Sequence, residues 1–473
     1  MADLIQPQAL AALPDAIDAH VSAGNVIYDF LQAEDALLRV VLEQSADSAL
    51  SPQGAAFDNP EFGILPFLAK NMDAPQVSPL LPDEAKTLLK LADDKGLIPP
   101  PTITMDAFSA FADTFAEFAY IGADGTAYGF APYEQLNVHW VLCIVNGLLT
   151  EFVHGKAHFG ADMPEPICMP DGEVTLAIAG DWGTAEGGAV AVRGAITSPK
   201  APDYLIHLGD VYYTGTPKLS EKFYFGPGTE QSNLVDFWPD IGTGISFTMN
   251  SNHKMYPGAW GLFDDALSSA TFAHMQNKSY FLLQNSTWQI FGLDSAYNSP
   301  DFMYMYGALC QQQIEFVQKY RDTKRRAILM THHNPYDLTG TKKRVKDGGS
   351  LLQDVTTAFS GTLPEYWYFG HEHNGIVYND TAGTLGCKMR CTGHASMPYG
   401  APWGLVTERA TTPPYKAGDY ISTVDFAAST PLEPSDPKGL VKNGFMRITL
   451  GENGITEAFF DQDNTQTWSN EPA

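Results

Sequence analysis

Short apolar runs dominate the chain from about residue 173 onward, and each one ends in polar or glycine-containing sequence. The runs are VTLAIAG, YLIHLG, ISFTMN, WQIFGLD, RAILMT and EYWYFG. Runs of this length between polar breaks are typical of buried strands. Helical stretches such as GALCQQQIEFVQKY fall between some of them. The pattern therefore predicts an α/β fold for this part of the chain.

Residues 1 to 165 have a different texture, because their apolar residues recur at helical spacing. The segment PDEAKTLLKLADDKG, for example, opens on Pro82 and Asp83 and closes on Gly96, a typical start and stop for a helix. The proline-rich segment 161–172 marks a boundary. We therefore predict two regions: a mainly helical accessory region at 1–165, which caps a site or mediates association, and a second domain at 166–473.

The chain is strongly acidic, with 55 Asp and Glu against 28 Lys and Arg and a formal charge of −27. This balance argues against a nucleic acid or an anionic membrane as the main partner. An anionic small-molecule substrate would need concentrated local positive charge, such as metal ions. The N-terminal sequence MADLIQPQAL has no basic, apolar signal pattern, and the longest apolar run, 141–149, is too short for a membrane span. The sequence thus predicts a soluble, cytoplasmic protein.

Polar residues that can bind metal ions follow the predicted strands. They are Asp181 in GDWG, Asp210 and Tyr213 in GDVYY, Asn252 and His253 in SNHK, His332 and His333 in THH, and His371 and His373 in GHEH. Loops at the carboxyl ends of strands are where open α/β sheets build their sites. These nitrogen and oxygen donors without thiolate suit two ions such as iron, zinc or manganese.

The order and spacing of these motifs resemble those of the calcineurin-like metallophosphoesterases, most closely the purple acid phosphatase branch, over roughly residues 173–460. Most of that family opens with Asp-x-His, whereas this branch has Gly-Asp-x-Gly and supplies a tyrosine from Gly-Asp-x-x-Tyr. This chain makes both changes, with Gly183 in the first motif and Tyr213 in the second. The resemblance implies that residues 166–473 form a four-layer α/β/β/α sandwich of two mixed sheets.

The resemblance also implies two metal sites that share Asp210. The first would be bound by Asp181, Asp210, Tyr213 and His373. The second would be bound by Asp210, Asn252, His371 and one histidine of the THH pair. We favour His332 because it directly follows the strand AILMT, although His333 has the His-x-Pro spacing of the family; His333 would then face the substrate. A phenolate ligand favours a trivalent ion, which suggests Fe(III) with a divalent Fe, Zn or Mn partner.

The implied activity is the hydrolysis of a phosphate ester. Two ions about 3.5–4 Å apart can activate a bridging hydroxide that attacks phosphorus, and His253 would protonate the leaving group. The chain departs from the family at Lys254, where an acidic residue normally follows the histidine. This lysine would either contact a phosphate or lie exposed, and proton donation by His253 could be altered.

Three functional interpretations stay open at this point. The tyrosine-containing signature favours a phosphomonoesterase over a phosphodiesterase that acts on nucleotides or other diesters. The third interpretation, a binding or scaffold protein that keeps the fold without turnover, has the Lys254 change as its only support, since every ligand position is filled.

Overall fold

The structure is a computed structural model. It describes residues 155–217, 228–300, 306–335, 351–379, 386–397, 417–432 and 441–471, together with 70–74, 120–121, 127–128 and the single positions 86, 90, 143, 147, 151, 304 and 405.

The contacts of the chain divide it into two units, 1–155 with 219–227, and 156–218 with 228–473. In the first unit the structure describes two short antiparallel strands, β1 (Tyr120–Ile121) and β2 (Ala127–Tyr128). Most of the helices predicted for residues 1 to 165 lie outside the described residues. The accessory role of this region and the boundary after 165 therefore stay predictions.

The second unit contains a six-stranded and an eight-stranded sheet. The six-stranded sheet has the order β16-β15-β14-β4-β5-β6, in which the strands are β4 (Val174–Ala179), β5 (Tyr204–His207), β6 (Ile245–Thr248), β14 (Gly444–Leu450), β15 (Ile455–Asp461) and β16 (Gln466–Ser469). The eight-stranded sheet has the order β13-β11-β12-β10-β9-β8-β7-β3, in which the strands are β3 (Ile167–Cys168), β7 (Phe281–Gln284), β8 (Trp288–Gly292), β9 (Arg326–Thr331), β10 (Tyr366–Phe369), β11 (Gly375–Tyr378), β12 (Lys388–Thr392) and β13 (Val424–Ala427).

The helices are short. The described α-helices are α1 (Gly187–Ile196), α2 (Asn252–Met255), α3 (Gln311–Tyr320) and α4 (Leu351–Ala358). Two π-helical turns, Gln231–Val235 and Leu262–Ala266, and two 3₁₀ turns, Ala273–Met275 and Ala417–Asp419, complete the set that the structure describes.

Both sheets are mixed. Strands β4, β5 and β6 run parallel, while β14 pairs antiparallel with β4 and β15. In the other sheet β8, β9, β10 and β12 run parallel, while β7 and β11 pair antiparallel with their neighbours. The parallel strands of each sheet end at one edge, and this edge is where polar loops can meet.

The two sheets pack face to face. Phe247 on β6 lies 4.4 Å from Phe281 on β7, and Phe426 on β13 lies 5.6 Å from Phe459 on β15, between ring centroids. On the outer faces, α1 contacts β14 and β15, and Phe316 of α3 packs on Phe291 of β8. The predicted sandwich of two mixed sheets with helices outside is confirmed.

Among the described helices, none is long and apolar enough to cross a membrane. The cytoplasmic location stays a prediction.

Candidate metal centre

The polar residues predicted from the strand ends meet at one edge of the sandwich. Asp181 and Asp210 follow β4 and β5, Asn252 and His253 begin α2 after β6, His332 and His333 follow β9, and His371 and His373 follow β10. Because the strands within each set are parallel, residues far apart in the sequence arrive at the same edge. Both sheets therefore contribute to the site.

One cluster consists of Asp181, Asp210 and His373, whose potential ligand atoms all lie within 4.8 Å of one another. The Nε2 atom of His373 lies 3.4 Å from Oδ1 of Asp181 and 3.9 Å from Oδ2 of Asp210. Burial and the neighbouring Asp210 raise the pKa of Asp181 to about 8. Burial opposes the charged form of His373, but its bonds to the two aspartates outweigh this and raise its pKa to about 10. Two carboxylates thus share a buried site with one imidazole.

A second cluster, His332, His333 and His371, lies beside the first. The Nδ1 atom of His332 is 2.9 Å from the carbonyl oxygen of Leu208, which can only accept, so Nδ1 carries the proton. Burial lowers the pKa of His332 to about 4, which keeps the ring neutral. Its Nε2 lone pair therefore points at the oxygens around it, an arrangement that suits a metal ligand.

These oxygens are acceptors as well. Nε2 of His332 lies 2.8 Å from Oδ1 of Asn252 and 3.4 Å from Oδ1 of Asp210. Among the described residues, Oδ1 of Asp210 has no hydrogen-bond partner although it is buried. In the part of the chain that the structure describes, no donor lies between the Nε2 lone pair of His332 and the buried Oδ1 of Asp210, which is costly in an interior. A cation between the two would satisfy both, so the residues present fit a metal ion.

The backbone at these positions is strained. Asp181, Asp210 and His371 adopt φ angles of 57°, 67° and 67°, in the left-handed region that L residues rarely occupy. Each such residue costs of order 1–3 kcal/mol and persists where its surroundings hold it, often at functional sites. The strain therefore falls on three of the predicted ligands.

Gly183 shows why the first motif ends in glycine. It forms an isolated bridge with Val211, and a Cβ at this position would lie 2.6 Å from Cα of Val211. No side chain fits there, so a histidine could not occupy this position. Any further ligand for that side of the site must come from another element.

The hydroxyl in the first cluster belongs to Tyr212. It lies 3.0 Å from Oδ2 of Asp210, 3.0 Å from Nε2 of His373 and 3.4 Å from Oδ1 of Asp181. Sequence reasoning named the neighbouring Tyr213, whose carbonyl oxygen the structure places 2.6 Å from Nδ1 of His253. Asp-x-Tyr and Asp-x-x-Tyr spacings both exist in GDVYY, so spacing alone could not have identified Tyr212. The ligand role of Tyr213 stays a prediction.

His253 faces Asp210. Because a carbonyl can only accept, Nδ1 of His253 donates to Tyr213, and Nε2 lies 3.7 Å from Oδ2 of Asp210. Burial lowers the pKa of His253, although Asp210 and the Tyr213 carbonyl favour the charged form. The imidazole is therefore held by its backbone contact with the other nitrogen directed into the site.

Both nitrogens of His333 contact protein atoms. Its Nδ1 lies 2.9 Å from the Ser295 hydroxyl, and its Nε2 lies 2.6 Å from the Tyr304 carbonyl, so Nε2 carries the proton. This arrangement supports His332 over His333 as the metal-binding histidine. A contact of His333 with substrate stays a prediction.

Lys254 was expected either to lie exposed or to contact a phosphate, and this expectation is wrong. Its side chain is fully buried, and its Nζ lies 3.0 Å from Oε1 of Glu230 and donates to the Thr248 hydroxyl at 2.9 Å. The ammonium group finds its counter-charge in the interior instead of at the substrate side. Glu230 was missed because it lies outside every motif.

Sequence reasoning also missed a pair of polar residues beside the histidines. The Asn334 amide donates to Oε1 of Glu372 at 2.8 Å. Asn334 follows His333, and Glu372 lies between His371 and His373. Their position next to predicted site histidines could have identified them as residues at the edge of the site.

No family model matches the chain, and no curated protein matches it. Among solved structures, it is similar to GAP50, described as the anchor in the inner membrane complex of Plasmodium, at 13% identity and a TM-score of 0.40 over 64% of this chain and 89% of that one. It is similar to PhoD at 10% identity and a TM-score of 0.38 over 67% of this chain and 74% of that one.

A third similar structure is a conserved uncharacterized protein from Streptococcus pneumoniae, described as a predicted phosphoesterase, at 8% identity and a TM-score of 0.27. The match covers 63% of this chain and 97% of that one. Similarities at this level establish neither a family nor an activity. The functional argument therefore depends on the geometry of this chain.

Proposed function

We propose that this chain hydrolyses phosphate esters by means of two metal ions held at the strand-end site. The observation that carries the proposal is the meeting of potential metal ligands around Asp210: His332 and Asn252 lie near its Oδ1, and Asp181 and His373 form a cluster with it near its Oδ2. A carboxylate flanked by two clusters of potential metal ligands is suited to bridge two ions. When bound, such ions supply an activated water and neutralise the charge of a phosphoryl group.

The protein's own residues have separate roles in this proposal. Asp181, Asp210 and His373 hold one ion, with the phenol of Tyr212 or Tyr213 beside them. Asp210, Asn252, His332 and His371 hold the other. His253 keeps its Nδ1 proton on the Tyr213 carbonyl, and its Nε2, which faces Asp210, would take up a second proton and transfer that proton to the leaving group.

The main test is metal analysis with an activity assay on purified protein. We expect two ions per chain and hydrolysis of p-nitrophenyl phosphate. Asp210→Asn should lower kcat/KM by about a thousandfold or more, the several kcal/mol that metal ions contribute to the transition state. Asp425→Asn, a change of the same type at an exposed aspartate that bonds Asn379, should leave both readouts unchanged.

The outcomes also separate the alternatives. A preference for bis(p-nitrophenyl) phosphate over the monoester would favour a phosphodiesterase. Two bound ions without turnover of any phosphoester would favour a scaffold protein. If the protein binds no more than one ion, or if Asp210→Asn keeps full activity, the proposal is wrong.

The phenol can be assigned by optical spectroscopy. We propose Fe(III) for the ion beside Asp181, because a tyrosinate ligand favours a trivalent ion. Tyrosinate bound to Fe(III) gives a visible charge-transfer band, so Tyr212→Phe should abolish the band if Tyr212 is the ligand. Tyr213→Phe should abolish the band if Tyr213 is the ligand, as the Asp-x-x-Tyr spacing predicts. A colourless protein with two divalent ions would exclude Fe(III) and leave the hydrolase proposal standing.

A further inference from the structure

Helix α2 carries three consecutive buried polar side chains that point in different directions. Asn252 faces His332, and His253 faces Asp210. Lys254, the third, faces Glu230 on the interior side. Successive residues of a helix are about 100° apart, so a single turn can present two side chains to the site and the third to the core.

This helix is a single turn of four residues, Asn252–Met255. In its backbone hydrogen bonds, the Met255 amide donates to the Ser251 carbonyl at 3.0 Å and the Tyr256 amide donates to the Asn252 carbonyl at 3.1 Å. The Ser251 hydroxyl accepts from the Lys254 amide and so caps the helix. A turn this short is not stable by itself, because helix nucleation is unfavourable. Its position must therefore be set by tertiary contacts.

One of those contacts is a buried charge pair. Nζ of Lys254 lies 3.0 Å from Oε1 of Glu230, and both side chains have no exposed surface. The ammonium also donates to Thr248, the last residue of β6, whose hydroxyl lies 2.9 Å from Nδ1 of His207 on β5. The pair thus connects α2 to two strands of the six-stranded sheet.

Glu230 belongs to a segment that also holds the tyrosine loop. It directly precedes the turn Gln231–Val235, and its amide donates to the Thr216 carbonyl at 2.9 Å. In that turn, the Asn233 amide donates to the Tyr212 carbonyl at 3.0 Å. One segment therefore positions both α2 and the loop that carries Tyr212.

The surroundings of the pair are closely packed. A Cβ at Gly215 would lie 3.1 Å from Cα of Lys254 and 3.0 Å from Oε2 of Glu230. This contact holds the pair against the loop that follows Tyr213, so a shift of Lys254 would be transmitted to the site.

We propose that the Lys254–Glu230 pair is a positioning device that fixes Asn252 and His253 at the metal centre. The inference rests on the proposed function and goes beyond it, since neither residue touches the reacting groups. The imidazole of His253 is held by the Tyr213 carbonyl, so the pair acts on the placement of α2. This role would account for the lysine at position 254, where the family that this chain resembles has an acidic residue.

The test is a double-mutant cycle of Lys254→Met, Glu230→Leu and the double variant. Each single variant leaves one buried charge unpaired and can fail to fold, whereas the double variant leaves none. We expect the double variant to lose about 10- to 100-fold in kcat, as for other groups that orient ligands, with KM close to wild type. Where the single variants fold, their losses should not multiply, because the two residues act as one unit.

Lys442→Met is the matched control, because Lys442 also pairs with carboxylates, Asp461 and Asp463, but is partly exposed. It should keep wild-type kcat. A double variant with wild-type kcat and only a lower melting temperature would make the pair merely structural and overturn the inference. So would single losses that multiply.

A crystal structure of the double variant gives a readout that does not depend on activity. We expect the Asn252 Oδ1–His332 Nε2 distance, 2.8 Å in the wild-type structure, to lengthen. An unchanged distance would overturn the inference. If the wild-type protein hydrolyses no phosphoester, the proposed function fails, while this structural comparison still decides whether the pair positions α2.

Discussion

Two buried sets of charges in the second unit differ in how they are compensated. Between the sheets, Arg390 of β12 pairs with Glu457 of β15 through Nε–Oε1 at 3.0 Å and Nη2–Oε2 at 3.2 Å, and Tyr368 donates to the same carboxylate at 2.9 Å. At the edge of the sandwich, Asp181 and Asp210 lie side by side with one imidazole. The charges of the inter-sheet set compensate each other within the protein, whereas in the edge set Oδ1 of Asp210 has no hydrogen-bond partner among the described residues.

The difference extends to backbone and electrostatics. Asp181 and Asp210 sit in the left-handed region, and burial beside Asp210 raises the pKa of Asp181. Buried polar groups are usually satisfied, and strained backbone often occurs at functional sites. The comparison teaches that the charges of the inter-sheet pair compensate each other, while the edge set keeps an unsatisfied carboxylate oxygen and strained backbone at a cost in stability. Two predictions test this contrast, and a third tests a buried histidine that belongs to neither set.

The largest effect should come from the inter-sheet pair. Glu457→Gln leaves the Arg390 charge uncompensated in the interior and should lower the free energy of unfolding by about 3–5 kcal/mol. Chemical denaturation measures the loss. Glu365→Gln is the matched control, because Glu365 accepts from Nε of Arg326 at 2.7 Å at a partly exposed position and should cost no more than about 1 kcal/mol. Equal losses would remove the distinction between the inter-sheet pair and an ordinary surface pair.

A buried group without a partner should make stability depend on pH. His394 packs against Phe459, its Nδ1 has no partner among the described residues, and burial lowers its pKa to about 3. The unfolded state therefore binds a proton that the folded state refuses, and stability is lost as pH falls below about 6.5. Between pH 7.5 and pH 5 this amounts to about 2 kcal/mol.

Denaturation of His394→Gln at the two pH values checks this prediction. The variant should lose about 2 kcal/mol less than the wild-type protein over this interval. The exposed His274, changed to Gln, should keep the wild-type pH dependence. Identical pH dependence in His394→Gln and the wild-type protein would show that this histidine titrates normally.

The last effect has the opposite sign. In the metal-free protein, Asp181→Asn should raise the free energy of unfolding near neutral pH, because it removes a carboxylate whose raised pKa disfavours the folded state there. Added Mn²⁺ or Zn²⁺ should raise the melting temperature of the wild-type protein more than that of the variant. If Asp181→Asn destabilises the metal-free protein as Glu457→Gln does, the contrast between the two sets fails.

Continuous apolar runs made β4, β5 and β10 recognisable in the sequence, and the alternating tail indicated β14 and β15. β12 escaped because its sequence, KMRCT, carries charges. Arg390 is a charged residue that interrupts the apolar pattern of this strand. Its burial depends on Glu457, which is distant in the sequence.

The site shows the same limit. Motifs at strand ends were predictable, because parallel strands bring their ends together. Tyr212 and Glu230 were not, because their roles depend on the course of irregular segments. Both adjacent tyrosines are buried, and the sequence does not show which hydroxyl the loop directs at Asp210. A lysine in a motif likewise does not reveal where its counter-charge lies.

The predicted metal ligands come from both sheets, and this has a consequence for the stability of the fold. Asp181, Asp210 and Asn252 extend from the six-stranded sheet, and His332 and His371 extend from the eight-stranded sheet. Metal ions bound by residues of both sheets would cross-link the sheets at this edge. Unfolding would then require release of the ions, so a chelator would lower the stability of the fold as well as the activity. The melting temperature would therefore depend on the metal concentration.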